Sequence, residues 1–598
     1  MSTEIRAVRP PSSLRRRQVV VIGSLCVMMA LLITTAPTYY VGLMAMAGIH
    51  ALVCIGLSLV LGTGQVSLGH AAFVGLGAYA SAIMARRGVP TALTIPLAMI
   101  LCMAVAYVLG RITLRLKGHS LPLATLAWGV AIYVCFVASI GITGGASGMS
   151  DIPPLSVAGF VFDTRAVTAL AWICVLLVFI GYSRIHRGRV GRIAKAIRVH
   201  GVMVTAFGAD VPGVKMRVFV ASAALAALAG GLFAYYMRFL SPSSFAIGAS
   251  FNYLIMVVLG GVASPVGAIL GAVLFVVMEV GAQYLFATML GVPGQMEAML
   301  FGALLIVLLL RWPGGILSWL KLRETVYGTP RVDAAASAKQ VADMRPQIAK
   351  IEVDKVTKRF GGLQALKGVT IDVPRARITG LIGPNGAGKS TLFNAVTAVS
   401  PATTGEVRIN GTPLPARSRE VIRTGMARTF QHVQLVGELT VLQNVMIGGY
   451  IDGHAGLVAA ALGRDRVEEA ITAERAREAL QQVGLTADAD RTVGSLPLGS
   501  QRLVEVARAL MTRPDVLLLD EPAAGLRAAE KERLVRLLKS LRDERQMAIL
   551  LVEHDMELVM SCVDHIFVLN YGELLAEGGR RDIQNNPAVI AAYLGSEA

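Results

Sequence analysis

Gly383-Pro384-Asn385-Gly386-Ala387-Gly388-Lys389-Ser390-Thr391 decides the fold of the second half of this 598-residue chain. The stretch follows the apolar run Ile378–Ile382 and leads into Leu392 and Phe393, so the spacing predicts a strand, a glycine-rich loop and a helix in that order. Glycines let successive backbone N–H groups curl around phosphate oxygens, and the helix N-terminus adds a field that favours anions. In such a loop Lys389 reaches the β- and γ-phosphates of ATP, and the Ser390 hydroxyl binds Mg²⁺. A second apolar run, residues 516–519, ends in Asp520-Glu521. A buried strand delivers terminal carboxylates to the C-terminal edge of an open sheet, where ligands bind. Asp520 is therefore a candidate for holding the metal, and Glu521 for orienting and deprotonating an attacking water. With Ala548–Val552, these short runs alternate with charged helical stretches from Ile351 onward. That alternation implies an α/β domain with a largely parallel sheet.

Upstream the composition changes. Hydrophobic residues make up 54% of the chain and charged residues 16%, far from an ordinary soluble protein. Residues 1–325 hold 23 Lys+Arg and 7 Asp+Glu, against 33 and 32 in residues 326–598, so nearly all of the net charge of +17 sits in the apolar half. A nucleic-acid binder would carry its charge on a soluble domain or tail, and no nucleic-acid partner is expected. Here the charge lies between long apolar runs, as in the cytoplasmic loops of a membrane protein.

Apolar segments approaching the length of a bilayer crossing begin near residues 19, 40, 68, 91, 120, 166, 216, 251, 265 and 295. Arg15, Arg16 and Arg17 precede the first, which reads as an uncleaved membrane helix. The groups Arg111/Arg115/Lys117, residues 184–198 and Arg311/Lys321/Arg323 are cytoplasmic when both ends of this half face inward. An ordinary helix at 68–85 would leave Arg86 and Arg87 outside, so a re-entrant segment is the expectation there. The six cysteines show no metal-ligand spacing, and five lie in apolar segments as small buried residues. His50 and Glu279 also lie in apolar segments, where a helix–helix hydrogen bond outweighs a proton relay. Residues 326–349 are Ala-rich and polar and read as a linker. The expected organisation is a polytopic α-helical membrane bundle at 1–325, the linker, and an α/β P-loop ATPase domain at 350–598.

The second half resembles the ATP-binding subunits of ABC transporters over residues 351–596. Beyond the two nucleotide motifs, Phe360 in Lys358-Arg359-Phe360-Gly361 matches the aromatic position that stacks on adenine. Gln431 in Thr429-Phe430-Gln431 matches the glutamine loop, which the resemblance implies senses the γ-phosphate and Mg²⁺ and touches the permease. His554 in Val552-Glu553-His554-Asp555 matches the switch histidine. Two positions depart from the pattern. The signature is Leu496-Pro497-Leu498-Gly499-Ser500, with Pro497 where a hydroxyl residue is usual, and Arg527 stands where the loop after the catalytic glutamate usually carries aspartate. Both changes touch the surface offered to a partner ATPase.

The first half resembles branched-chain amino acid permeases. The segments that carry this are Ser67-Leu68-Gly69-His70-Ala71-Ala72-Phe73, Thr143-Gly144-Gly145-Ala146-Ser147-Gly148, Val258-Leu259-Gly260-Gly261, and the basic stretch 192–198 with Gly208 beyond it. The last looks like a coupling helix that lies on the ATPase. The tail from Asn585-Asn586-Pro587 to Tyr593-Leu594-Gly595 is similar to the end of the matching ATPase subunits. The resemblance implies an importer in the bacterial inner membrane, with its ATPase in the cytoplasm. Its partners would be a second permease, a second ATPase, an extracytoplasmic solute-binding protein and membrane lipid. Its substrate would be a small hydrophobic amino acid, with amides or urea as the alternative in the same family. A membrane-anchored ATPase that signals or transmits force without solute transport would need few helices and a large outer domain, whereas the outer loops here are short. Exporters usually carry about six long helices that extend into the cytoplasm, unlike the short, broken segments here.

Overall fold

The computed structural model describes residues 12–284 and 350–594 apart from 117, 119 and 263, together with Ile348 and short pieces between 302 and 316. Most of the apolar segment beginning near 295, nearly all of the predicted linker, and Lys117, Lys321 and Arg323 lie outside the described residues.

Among the described residues, nine apolar helices match the first nine apolar segments: α1 (Ser12–Thr35), α2 (Thr38–Gly62), α3 (His70–Arg86), α4 (Thr91–Thr113), α5 (Ser120–Ala138), α6 (Thr164–Arg187), α8 (Val211–Met237), α9 (Ile247–Gly260) and α10 (Pro265–Gln283). Between α6 and α8 lies the basic helix α7 (Arg189–Ala206). Among the described residues six helices are long and apolar enough to cross a membrane; α3 and α9 are shorter.

Central helix α8 fixes the directions of its neighbours. Gly42 of α2 faces Tyr236, Gly56 faces Ser222, and Gly64 beyond its end faces Arg198, so α2 runs antiparallel to α8 and ends beside the basic helix. His70 opens α3 with its Nε2 2.7 Å from Ser222 Oγ and its Nδ1 3.0 Å from Ser67 Oγ. Since Ser222 also faces Gly56, about two turns before the end of α2, residues 63–69 fold back into the bundle before α3 starts. From there α3 runs alongside α8, with Gly77 at Ala227 and Gly230 at Val74 and Ala78. Exposed Arg86 and Arg87 thus sit at the end opposite α7. The re-entrant expectation is corrected: the loop before the helix re-enters, and the helix itself continues to the far side. Satisfied Ser67–His70–Ser222 hydrogen bonds make a buried, non-helical start tolerable at this depth.

The second half holds two sheets. Strands β1 (Lys350–Phe360), β2 (Leu363–Pro374), β4 (Thr404–Ile409) and β5 (Thr412–Pro413) form an antiparallel sheet in the order β2-β1-β4-β5. Strands β3 (Ile378–Ile382), β6 (Met426–Arg428), β7 (Val516–Asp520), β8 (Ala548–Val552), β9 (His565–Asn570) and β10 (Glu573–Gly578) form the other, ordered β10-β9-β3-β8-β7-β6. This second sheet is parallel except at β9–β10. Every residue of β3, β7 and β8 is buried, which is why these strands read as continuous apolar runs. The antiparallel sheet is the larger departure from the sequence reading; its long strands alternate buried and exposed positions, a pattern diluted by irregular register.

Close approach of α3 to α8 rests on glycine. A Cβ at Gly230 would fall on the Val74 carbonyl oxygen and within 2.8 Å of Ala78 N. Small residues are what allow membrane helices to pack at this distance. Gly230→Val should therefore destabilise the detergent-solubilised chain by about 1–3 kcal/mol. A lowered thermal midpoint would show this, and an unchanged one would contradict the packing.

Candidate functional site

The glycine-rich loop joins β3 to α11 (Lys389–Val396). Gly383 and Gly388 have φ of +147° and +102°, and a Cβ on Gly388 would lie 2.8 Å from the Ala365 carbonyl oxygen, so the loop conformation requires glycine at this point. Lys389 curls over the loop, its Nζ donating to the carbonyls of Gly383 at 2.7 Å and Pro384 at 3.0 Å. Burial pulls its pKa below the usual lysine value, while Glu521 and Asp520 work in the opposite sense. Asn385 and Gly386 are exposed at the loop tip, and Ser390 and Thr391 begin the helix.

Asp520 ends β7 and is buried; its N–H donates to Thr429 Oγ1 at 3.0 Å. Its Oδ1 is buried with no hydrogen-bond partner among the described residues. Burial raises its pKa to about 6, against the lowering pull of Arg428. An orphaned, desolvated carboxylate oxygen beside a phosphate loop fits a divalent cation. Glu521 follows with φ of +49°, a strained conformation for a side-chain-bearing residue, and its N–H donates to the Val552 carbonyl at 2.9 Å. Gln431 Nε2 donates to Glu521 Oε1 at 3.3 Å, and His554 Nδ1 lies 3.9 Å from Glu521 Oε2. The fold thus brings Lys389, Asp520, Glu521, Gln431 and His554 together. Phe360 stands apart at the end of β1, 51% exposed, with Lys358 Nζ 5.2 Å from its ring centroid. It pairs with Leu363, two residues before the Ala365 carbonyl that abuts Gly388.

Several residues that hold this arrangement carry no motif. Arg428 lies between the Phe393 and Phe430 rings, 4.9 and 4.5 Å from their centroids, and donates to Asn394 Oδ1 and Thr397 Oγ1. It ties α11 to the strand before Gln431. Buried Glu553 accepts from Ala523 N at 2.7 Å and from His554 N at 3.2 Å. Helix α14 (Leu498–Leu510) starts at the signature with Pro497 as its N-cap, and its buried face grips the glutamine loop. Arg502 donates to the Phe430 carbonyl at 2.8 Å and to the Gln431 carbonyl, Glu505 accepts from Gln434 N at 2.9 Å, and Arg508 donates to the Gln434 carbonyl at 2.6 Å and to Glu505 at 3.0 Å. Charge pairs three residues apart on a helix usually mark a solvated face, so only burial could have singled these out.

That same grip reaches the membrane half. The Arg508 guanidinium lies 5.0 Å from the centroid of Phe207, just past the end of α7. Arg192 makes a two-pronged ion pair with Glu469 at 2.6 and 2.9 Å, Arg198 pairs with Glu438 at 2.7 Å, and Asp210 with Arg419 at 2.8 Å. Arg189 stacks on Tyr450, 4.1 Å from the ring centroid.

Both halves of the chain are similar to known proteins. The family described as the branched-chain amino acid transport system permease component matches residues 39–309. The ABC transporter family matches 366–524, and the branched-chain amino acid ATP-binding cassette transporter family matches 573–598. The high-affinity branched-chain amino acid transport ATP-binding protein BraF of Pseudomonas aeruginosa is 43% identical over 250 residues, 41% of this chain and 97% of BraF. LivG of Salmonella typhimurium, which bears the same description, is 40% identical over 248 residues, 41% of this chain and 97% of LivG. A solved nucleotide-free ATP-binding cassette from an ABC transporter is 33% identical, with a TM-score of 0.38, over 42% of this chain and 100% of that one.

The raised pKa of Asp520 has a direct consequence. Below about pH 6 the carboxyl holds a proton that a bound cation must displace, so affinity for Mg²⁺–nucleotide should fall up to about tenfold per pH unit below that value. Calorimetry of binding in buffers of different ionisation enthalpy should show a proton release near pH 6 that Asp520→Asn lacks. Identical pH dependence in the two proteins would contradict the assignment.

Proposed function

We propose, because the chain belongs to the branched-chain amino acid family of ABC transporters and fuses a permease domain to an ATP-hydrolysing cassette, that it drives uptake of leucine, isoleucine, valine or a related hydrophobic amino acid across the bacterial inner membrane. The observation that carries this reading is the continuous set of contacts from α7 through α14 to Gln431 and Glu521. Hydrolysis of ATP is thereby tied to the membrane bundle rather than to a soluble task. In this reading residues 1–325 form the permease, 326–349 the linker and 350–598 the cassette. A second permease, a second cassette and an extracytoplasmic solute-binding protein complete the transporter.

The chemistry follows from the groups assembled. The backbone of Gly383–Thr391 and the Lys389 ammonium hold the β- and γ-phosphates, and Phe360 stacks on adenine. Ser390, Asp520 and Gln431 are the residues that would hold Mg²⁺, which would neutralise charge on those phosphates. Glu521 orients a water and accepts its proton as the water oxygen bonds to the γ-phosphorus and the bond to the β–γ bridging oxygen breaks. His554 faces the same carboxylate and stabilises the γ-phosphate oxygens. Gln431, whose carbonyl is held by Arg502, reports on the occupancy of the site.

ABC cassettes work head to tail, so the opposite site depends on this chain's Pro497, Leu498 and Ser500. Pro497 supplies neither a hydroxyl nor an N–H to a γ-phosphate, whereas Gly499 keeps its N–H and Ser500 both its N–H and its hydroxyl. Each lost charge-assisted hydrogen bond costs about 1.5–3 kcal/mol. Two unequal sites result, with Glu521 dominating turnover.

Uptake of radiolabelled leucine by proteoliposomes holding the assembled complex and its binding protein tests the function. Competition by amides and urea separates the substrate classes, and ATP hydrolysis without uptake of any of them would contradict transport. In the same preparation Glu521→Gln should trap ATP and slow turnover by about 10²–10⁴-fold, while the partner's equivalent substitution costs less. Equal occupancy and equal single-turnover hydrolysis at both sites would overturn the asymmetry.

A further inference from the structure

A short helix of the cassette, α12 (Leu457–Leu462), is apolar on every face and flanked by Gly456 and Gly463. One side is accounted for. Leu457 packs on the core of the membrane half, Ala460 is buried, and the Ala461 methyl lies 3.6 Å from where a Cβ on Gly181 of α6 would stand. The other side is not. Val458 and Leu462, one turn apart on the same face, are 71% and 56% exposed. A helix with no polar face is stable only where apolar matter surrounds it.

The position of α12 says what that matter is. Ile173, Leu177, Gly181 and Arg184 share one stripe of α6, being four, four and three residues apart. Ile173 and Leu177 are exposed on this membrane-spanning helix, so the stripe faces lipid. At Gly181 the stripe meets α12, and at Arg184 the guanidinium donates to the Ala461 carbonyl at 3.1 Å. The free face of α12 therefore adjoins the lipid-facing stripe at its cytoplasmic end. Charge completes the pattern. The Nε atoms of Arg184 and Arg466 lie 3.7 and 3.6 Å from the Cβ position of Gly463, so both side chains border that one point. Neither is ion-paired among the described residues, and exposed Arg464 and Val467 lie beside them. Two neighbouring guanidiniums with no ion-paired carboxylate match a phosphate group.

We infer that α12, with Arg184 and Arg466, is a docking site for the cytoplasmic leaflet that takes an anionic phospholipid. Val458 and Leu462 enter the boundary between headgroups and acyl chains, and the headgroup phosphate lies against the two guanidiniums. A protein partner fits less well, since a six-residue helix supplies a small part of the roughly 1,200–2,000 Å² of a stable protein interface. The inference rests on the membrane placement of α6 and is independent of which solute is carried.

The test uses the full chain assembled with its partner subunits in nanodiscs of phosphatidylcholine and phosphatidylglycerol. Val458→Trp adds a fluorophore whose emission is read as the difference from the unsubstituted chain. We expect blue-shifted emission that is quenched when the acyl chains are brominated, and more strongly by brominated phosphatidylglycerol than by brominated phosphatidylcholine. The double variant Arg184→Gln/Arg466→Gln should weaken that preference by on the order of tenfold. Red-shifted emission quenched by aqueous iodide would place the residue in water, and blue-shifted emission indifferent to bromination would place it under protein; either overturns the inference. Equal preference with and without the arginines would overturn the headgroup site. Should Val458→Trp fail to assemble, Leu462→Trp is read in the same way.

Discussion

A guanidinium with no exposure to solvent joins the two halves of this chain. Arg508 lies against the Phe207 ring, holds the Gln434 carbonyl and pairs with Glu505, all in the interior. Burial pulls the Arg508 pKa down and the Glu505 pKa up, and their mutual attraction offsets part of both. Breaking such a pair by removing one partner costs about 3–5 kcal/mol, because the other charge is left buried alone. Moving the glutamine loop off the signature helix would strip this buried pair of its bonds to Gln434, and moving the Phe207 segment would strip Arg508 of its ring contact. Movement of Phe207 would consequently be felt at Gln431, next to Glu521, and along the helix that Pro497 caps.

The pair is not ideally satisfied. Arg502 Nε, Arg508 Nε and Glu505 Oε2 are buried without hydrogen bonds among the described residues. Arg502 Nη1 lies 3.6 Å from Glu505 Oε2, so the carboxylate has a second cation beside it but no hydrogen bond to it. Around it, α7 contacts Glu469, Glu438 and Tyr450: the Arg192–Glu469 pair is largely buried, whereas the Arg198–Glu438 pair is open to solvent and contributes little alone. They set the register of the two halves, while Arg508 links that register to the chemistry.

Much of this was legible in the sequence, and the reasons are physical. Local motifs such as Gly383–Thr391 and Asp520-Glu521 encode their own geometry through glycine conformations and strand ends. The apolar segments announced the bundle because a bilayer crossing needs a minimum run of apolar residues. Arg502, Glu505 and Arg508 stayed hidden because their spacing is that of any charged helix face. The depth of residues 63–69 was hidden as well, since it depends on Ser222, more than 150 residues away. Helix α12 escaped notice because six apolar residues are too few to suggest a membrane and too many to be unusual in a cassette.

The claim at the centre of this account is that the Phe207–Arg508 contact carries the coupling. The most direct measurement is solute moved per ATP hydrolysed in proteoliposomes, for Phe207→Leu, Arg508→Lys and the double variant, each of which keeps its apolar bulk or its charge. The account predicts that either single change lowers the ratio and that the double variant is scarcely worse than the more impaired single, as expected for two residues acting through one contact. Unchanged ratios in the singles, or losses that simply add in the double variant, would contradict it.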